Sequence, residues 1–221
     1  MSSAPKSFQP PTKPRIDPAV FGVTATFVIG FVIWGLVAPD NMSSVTADAL
    51  DWITDNAGWL YTLPSSGFVM FALYLAFGKF SEIPLGKDGD TPEFRTVSWI
   101  AMMFSAGMGI GLMFFGSYEP LFHFPSPPPG TTAEDVKVAR ATTMFHWGFH
   151  PWAMYAVVGL AIAYSTYRLG RTQLFSAVFA PLMGSQANGP GGKVIDILAI
   201  FATLFGTVAS LGLGAMQIGS G

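Results

Sequence analysis

The sequence predicts an all-α integral membrane protein in which five hydrophobic segments cross a bilayer. Three observations predict it. The chain is 51% hydrophobic and only 11% charged, whereas an average soluble domain carries about 25% charged residues. Five windows are long and apolar enough to span about 30 Å of hydrocarbon, which takes roughly 20 residues. The basic residues between the windows also alternate strictly from one side to the other.

The first 18 residues are polar and hold Pro5, Pro10, Pro11, Pro14 and Pro18. They read as a disordered cytoplasmic tail. A cleaved signal peptide is not expected, because the apolar run that follows is too long and lacks a small-residue cleavage site. Residues 19–95 read as two peripheral transmembrane helices with their connecting loops. The first window is Ala19–Ala38 and the second Trp59–Gly78, both without charge. Between them, Pro39–Gly58 has no Lys or Arg but carries Asp40, Asp48, Asp51 and Asp55, and reads as a loop.

Residues 96–221 hold the other three windows. Thr96–Tyr118 is uncharged and Glu119 follows at once. Ala141–Tyr167 has only His146 and His150 as ionisable groups other than tyrosine. Ile197–Met216 is uncharged, with Asp196 just before it. None of the five shows the polar stripe of a soluble surface helix. The connecting segments differ in kind. Lys79–Arg95 is short and charged. Pro125, Pro127, Pro128, Pro129 and Gly130 form a run that cannot be helical and is expected to close over the outer surface. Leu174–Met183 is apolar but too short to span, so it reads as an interfacial or re-entrant helix, followed by a turn over Gly184–Gly192.

Nine of the eleven basic residues fall on one side: Lys6, Lys13, Arg15, Lys79, Lys87, Arg95, Arg168, Arg171 and Lys193. Lys137 and Arg140 lie on the other. The excess of positive charge marks the cytoplasmic side, so the N-terminus is expected in the cytoplasm of a multi-pass protein of the cell membrane. The net charge of -2 gives no sign of a nucleic-acid partner. The absence of cysteine excludes disulfides, thiolate metal sites and cysteine nucleophiles. No Gly-rich phosphate loop and no Ser/His/Asp arrangement is present, so no enzymatic activity is expected.

Three features could carry function. Gly107-Met108-Gly109-Ile110-Gly111 lies about halfway along the third window. Three glycines in five residues weaken a helix by about 1 kcal/mol each relative to alanine. Such a stretch either unwinds to line a cavity, as in the broken helices of secondary transporters, or packs closely through its G-x-x-x-G pair. Trp147, Trp152 and Tyr155 stand in a dense aromatic run beside Pro151, which is expected to kink the helix. They offer faces to a quaternary ammonium or form an interfacial belt. Thr203, Thr207 and Ser210 share a helix face. Their hydroxyls suit either sodium or interhelical hydrogen bonds. His146 and His150 are four apart, but no third ligand or carboxylate lies nearby in sequence, and no metal other than sodium is expected. Glu119 and Asp196 sit at window ends and read as interface residues.

Three segments together resemble the betaine/carnitine/choline transporter family. They are Phe104–Pro120 (FSAGMGIGLMFFGSYEP), Thr143–Tyr155 (TMFHWGFHPWAMY) and Asp196–Gly214. The resemblance runs from the first window to the last residue. It implies a twelve-helix transporter with two inverted repeats, a sodium-symporter-like fold, in which the third to fifth windows begin repeat one. The chain ends at Gly221 in or just beyond a hydrophobic run, and is expected to be the N-terminal fragment of a longer protein.

The resemblance also implies roles. Gly107, Gly109 and Gly111 would contact substrate. Trp147, Trp152 and Tyr155 would form part of an aromatic cage, completed by aromatics absent from this chain. Ala106 and Met108 would offer carbonyls to one sodium, and Thr203 and Thr207 would join a second sodium site with Tyr155 near it. Sodium would be the coupling ion, with no other cofactor. The uninterrupted glycine stretch is similar to that of sodium-coupled members taking up compatible solutes such as glycine betaine, proline or ectoine in osmoprotection. Gly111 argues against choline, because some choline-type members carry an acidic residue there. A choline or carnitine carrier or exchanger is the alternative, and a non-transporting membrane scaffold or receptor is the reading from another class. The expected partners are a small zwitterionic or quaternary ammonium substrate, the lipid bilayer and copies of the chain, a trimer by resemblance.

Overall fold

The computed structural model describes residues 16–107 and 109–220, and among them it is helical, with no strands. Helix α1 spans Pro18–Val37. Pro18 takes the first helical position, where its missing N–H costs nothing. The Asp17 carboxylate caps the helix by accepting from the amides of Ala19 at 2.9 Å and Val20 at 3.1 Å. A single residue, Ala38, separates α1 from α2, and the Trp34 indole donates across that corner to Asn41 Oδ1 at 3.0 Å.

Helix α2 runs unbroken from Pro39 to Phe77, 39 residues. At 1.5 Å per residue it is about 58 Å long. The loop expected over Pro39–Gly58 is therefore helix. Its four aspartates marked contact with water, not loss of helix, and from Asp40 to Ala57 there is no Gly or Pro to break it. Pro64 lies inside the helix, where it removes the donor that would have met the Leu60 carbonyl.

The third and fourth windows are each two helices rather than one. α3 covers Thr96–Gly107 and α4 covers Ile110–His123, with an extended Gly109 between them. α5 covers Val136–His146 and α6 covers Phe149–Ala163, with Trp147 and Gly148 as the break. Pro151 is therefore not the kink. It sits in the first turn of α6, where amides lack intrahelical partners and a proline is tolerated. The break belongs to Gly148. A Cβ there would stand 2.9 Å from the Met144 carbonyl oxygen. α6 ends in a π-helical turn over Tyr164–Arg168, closed by Leu169 N–H donating to the Tyr164 carbonyl.

The short apolar stretch expected as one interfacial helix forms two four-residue helices, α7 at Phe175–Val178 and α8 at Ala180–Met183, then a 3₁₀ turn over Gly184–Asn188. Helix α9 begins at Pro190, earlier than the expected Ile197, so Gly191 and Gly192 are helical rather than part of a turn. Among the described residues, three helices are long and apolar enough to cross a membrane: α1, α2 and α9.

Packing is by helix pairs. α2 lies along α6, α4 along α5, and α9 contacts α1, α4 and α7. Edge-to-face rings join α1 to α9, with Phe27 and Phe201 centroids 5.4 Å apart and Phe31 and Phe205 4.9 Å apart. Among the described apolar residues, only Ala139, Ala153 and Ala187 are buried. Small side chains let helices approach, and the large apolar ones are left on faces suited to lipid or to further helices.

Polar ties join the connecting segments. Arg168 donates to Asp88 Oδ1 at 2.6 Å and to the Gly86 carbonyl at 2.9 Å. Lys193 pairs with Asp17 at 2.9 Å. Every residue in these ties belongs to a segment that the charge alternation assigns to one side. The Lys193 ammonium, aided by the Val20 amide, holds the Asp17 carboxyl below the usual carboxylate range. A depressed folded value means the tie is fully present above the ordinary carboxylate range and is lost as pH falls through the folded value. The unfolding temperature of the protein is expected to fall in acid by more than that of the Asp17→Asn variant. Equal acid sensitivity in a pH series of melts would show that the pair contributes nothing.

Candidate functional site

The break in the third window creates two helix ends facing one another. The last four carbonyls of α3, including that of Ala106, and the first amides of α4 have no partner within their own helices. Carbonyls suit a cation and amides a carboxylate, so the break offers both polarities in a few ångströms of chain. Met108, the other carbonyl implied for sodium, lies outside the described residues.

The aromatic run meets this break. A Cβ on Gly107 would stand 2.8 Å from Trp152 Cη2 and 3.2 Å from Cζ3. A Cβ on Gly111 would stand 3.6 Å from Trp147 Cη2. Each indole therefore rests against a glycine, one on either side of the break. The Trp152 indole donates to the Trp147 carbonyl at 3.0 Å, across the turn that ends α5. Tyr155 lies one turn further along α6, its ring centroid 6.1 Å from that of Trp152 and tilted by 46°. Tyr155 is 75% exposed and Trp152 is 40% exposed, so their faces are open to whatever approaches. Unwinding and small-residue packing were alternatives for the glycine stretch. The helix is broken here, and an indole is seated at Gly107 and at Gly111, on the two sides of the break.

Glu119 has a larger part than an interface residue. Its Oε1 accepts from the Trp147 indole at 3.3 Å and its Oε2 lies 3.2 Å from His146 Nδ1. It thereby ties the C-terminal half of α4 to the α5–α6 break. The signal was present as a carboxylate at the end of a window otherwise free of charge, but its partners are 27 and 28 residues away in sequence.

Thr203 and Thr207 stand elsewhere. Each donates its hydroxyl to the carbonyl four residues before it, at 2.8 and 2.7 Å. With those protons committed, the oxygen lone pairs are left to accept a cation. Both threonines line a cavity of about 750 Å³ between α1, the segment at Gln173–Phe175 and α9. Asp17 and Asp196 line it too, while among the described residues Tyr155, Gly107, Gly109 and Gly111 are not among its walls. Asp196 also accepts from the Ser176 amide at 2.9 Å and from its hydroxyl at 2.8 Å. The buried Ser176 is thus fixed to α9, and the short helix α7 is held against it.

Comparison with known proteins gives the relation. The model of the betaine/carnitine/choline family transporters (BCCT) matches residues 19–221. The chain belongs to this family. Its members are transporters, not enzymes. Among the similar proteins are the betaine/ectoine transporter LcoP of Corynebacterium glutamicum, 48% identical over 93% of this chain and 33% of its own length. The glycine betaine transporter OpuD of Bacillus subtilis is 45% identical over 92% of this chain and 40% of its own. The glycine betaine transporter 1 of Vibrio parahaemolyticus is 42% identical over 91% of this chain and 40% of its own. The chain therefore spans about a third to two fifths of the length of these curated relatives. The family relation and the apolar helices make it a membrane protein of a transporter family.

Proposed function

We propose that the chain supplies part of a sodium-coupled carrier that takes up a zwitterionic compatible solute for osmoprotection, with glycine betaine as the leading substrate and proline or ectoine as others. One observation carries this reading: the two indoles of Trp147 and Trp152 seated at Gly111 and Gly107 on either side of the helix break. A trimethylammonium group is attracted to aromatic faces within about 6 Å. A carboxylate on the same molecule is attracted to unpaired amides at a helix start. The break provides the second beside the first, which matches a betaine end for end. The names of the relatives, betaine/ectoine and glycine betaine transporters, support the same substrate class.

In this reading Gly107, Gly109 and Gly111 let backbone approach substrate, and Trp147, Trp152 and Tyr155 form one wall of the cage. The Ala106 and Met108 carbonyls serve one sodium, and the Thr203 and Thr207 hydroxyls serve another. Sodium is cargo moved with the substrate. By binding the substrate-competent state preferentially it raises that state's population, and alternating access carries both across. The charge alternation puts the N-terminus in the cytoplasm, and the working unit is a homo-oligomer.

The test is uptake of labelled glycine betaine by the full-length carrier in proteoliposomes. Uptake is expected only with an inward sodium gradient. The Thr203→Val, Thr207→Val double variant is expected to need at least about tenfold more sodium for half-maximal uptake, a coupling of about 1.4 kcal/mol. Equal uptake without sodium would sink the coupling, and choline outcompeting betaine would move the substrate to the choline class.

A further inference from the structure

We propose that Glu119, His123 and His146 form a binding site for a divalent transition-metal cation, with zinc the ion that best suits the donors. Glu119 and His123 are four apart on α4 and so share a face near its C-terminal end. His146 is the last residue of α5, which packs along α4. One donor atom from each of the three lies within 4.8 Å of the other two. The Glu119 Oε2 to His146 Nδ1 distance is already 3.2 Å, and the His123 and His146 rings stand 5.2 Å apart at 72°.

The donor set is chemically specific. Two imidazoles and one carboxylate are a recurring zinc set that leaves a fourth position open. Zinc bound at about 2.0–2.2 Å holds its donors roughly 3.4 Å apart in a tetrahedron. The cluster needs only small side-chain adjustments to reach that geometry. His123 Nδ1 is buried and has no hydrogen-bond partner among the described residues. An unpaired buried nitrogen is unfavourable, and a cation between the rings would relieve it. The Glu119 oxygen that does not face His146 accepts from the Trp147 indole, which orients the carboxylate in the way outer partners orient metal ligands. Access is from one side, since the His146 side chain is 46% exposed and that of Glu119 only 15%.

The histidine pair visible in the sequence, His146 and His150, is not the one that converges. His150 turns to α2, with Nε2 3.4 Å from Ser66 Oγ and its ring against Phe145. This gives the proposal an internal control.

The experiment uses the full-length, metal-free protein in detergent, titrated with zinc, and with cobalt(II) as a visible-absorption stand-in. One zinc per chain is expected. Its affinity should fall about tenfold or more in His123→Ala and in His146→Ala, and stay unchanged in His150→Ala. X-ray absorption at the zinc edge of the unsubstituted protein should show imidazole and carboxylate ligands, so the proposal stays testable even where a variant fails to fold. Absence of stoichiometric binding, a zinc spectrum of water ligands alone, or equal loss in His150→Ala would overturn it. Because the titration reads the metal alone, its failure is separate from failure of the transport reading.

Discussion

Replacing Trp147 or Trp152 with alanine should weaken glycine betaine binding to the full-length carrier by about 30-fold or more each. A desolvated cation–π contact is worth about 2 kcal/mol, and each 1.4 kcal/mol is a factor of ten. The two losses should not add. The Trp152 indole is held by the Trp147 carbonyl, so the two rings act through one hydrogen-bonded turn, and neighbouring residues couple. The Trp147→Phe variant should recover part of the affinity, because it restores a face without restoring the bond to Glu119. Calorimetric titration with glycine betaine measures all of this. Unchanged affinity in both alanine variants would make the aromatic run a packing belt and remove the substrate site from this end of the break.

The second large effect is expected from a single methyl group. A Cβ at Gly107 would meet the Trp152 ring at 2.8 Å, closer than real Cβ contacts come. The ring cannot simply slide away, because its nitrogen is bonded to the Trp147 carbonyl at 3.0 Å. The Gly107→Ala variant should therefore lose at least about tenfold in betaine uptake and about 1–3 kcal/mol in stability. Gly111→Ala is the comparison. Its Cβ would lie 3.6 Å from Trp147, an ordinary contact, and it should cost much less. Equal uptake by the two variants would mean that Trp152 does not sit against Gly107.

The contrast between these glycines shows what the sequence could and could not tell. Length and lack of charge located α1 and α9, because a bilayer-crossing helix is defined by those two properties. The density of glycine located the first break for a similar reason, since backbone entropy is a local cost. The second break was misplaced onto Pro151. A proline in a first turn and one in mid-helix look alike until the helix start is known. The 39–58 stretch was misread because charge excludes a segment from the membrane but not from a helix. Which glycine touches which ring, and how Glu119, His123 and His146 converge, depends on α4 packing along α5. No spacing along the chain encodes that pairing.

The unbroken α2 has a mechanical consequence. About 58 Å of helix set against about 30 Å of hydrocarbon leaves nearly half the rod outside the membrane. The rod lies along α6, the helix that carries Trp152 and Tyr155, with Ser66 Oγ of α2 3.4 Å from His150 Nε2. A rod amplifies rotation. A tilt of about 10° where α2 touches α6 swings a point roughly 28 Å beyond the membrane by about 5 Å. A rearrangement beside the aromatic wall that tilts α2 by this angle is thus read out as a displacement at Asp40–Asp51 that a pair of spectroscopic labels can resolve. The acidic overhang is a pointer attached to the inner machinery.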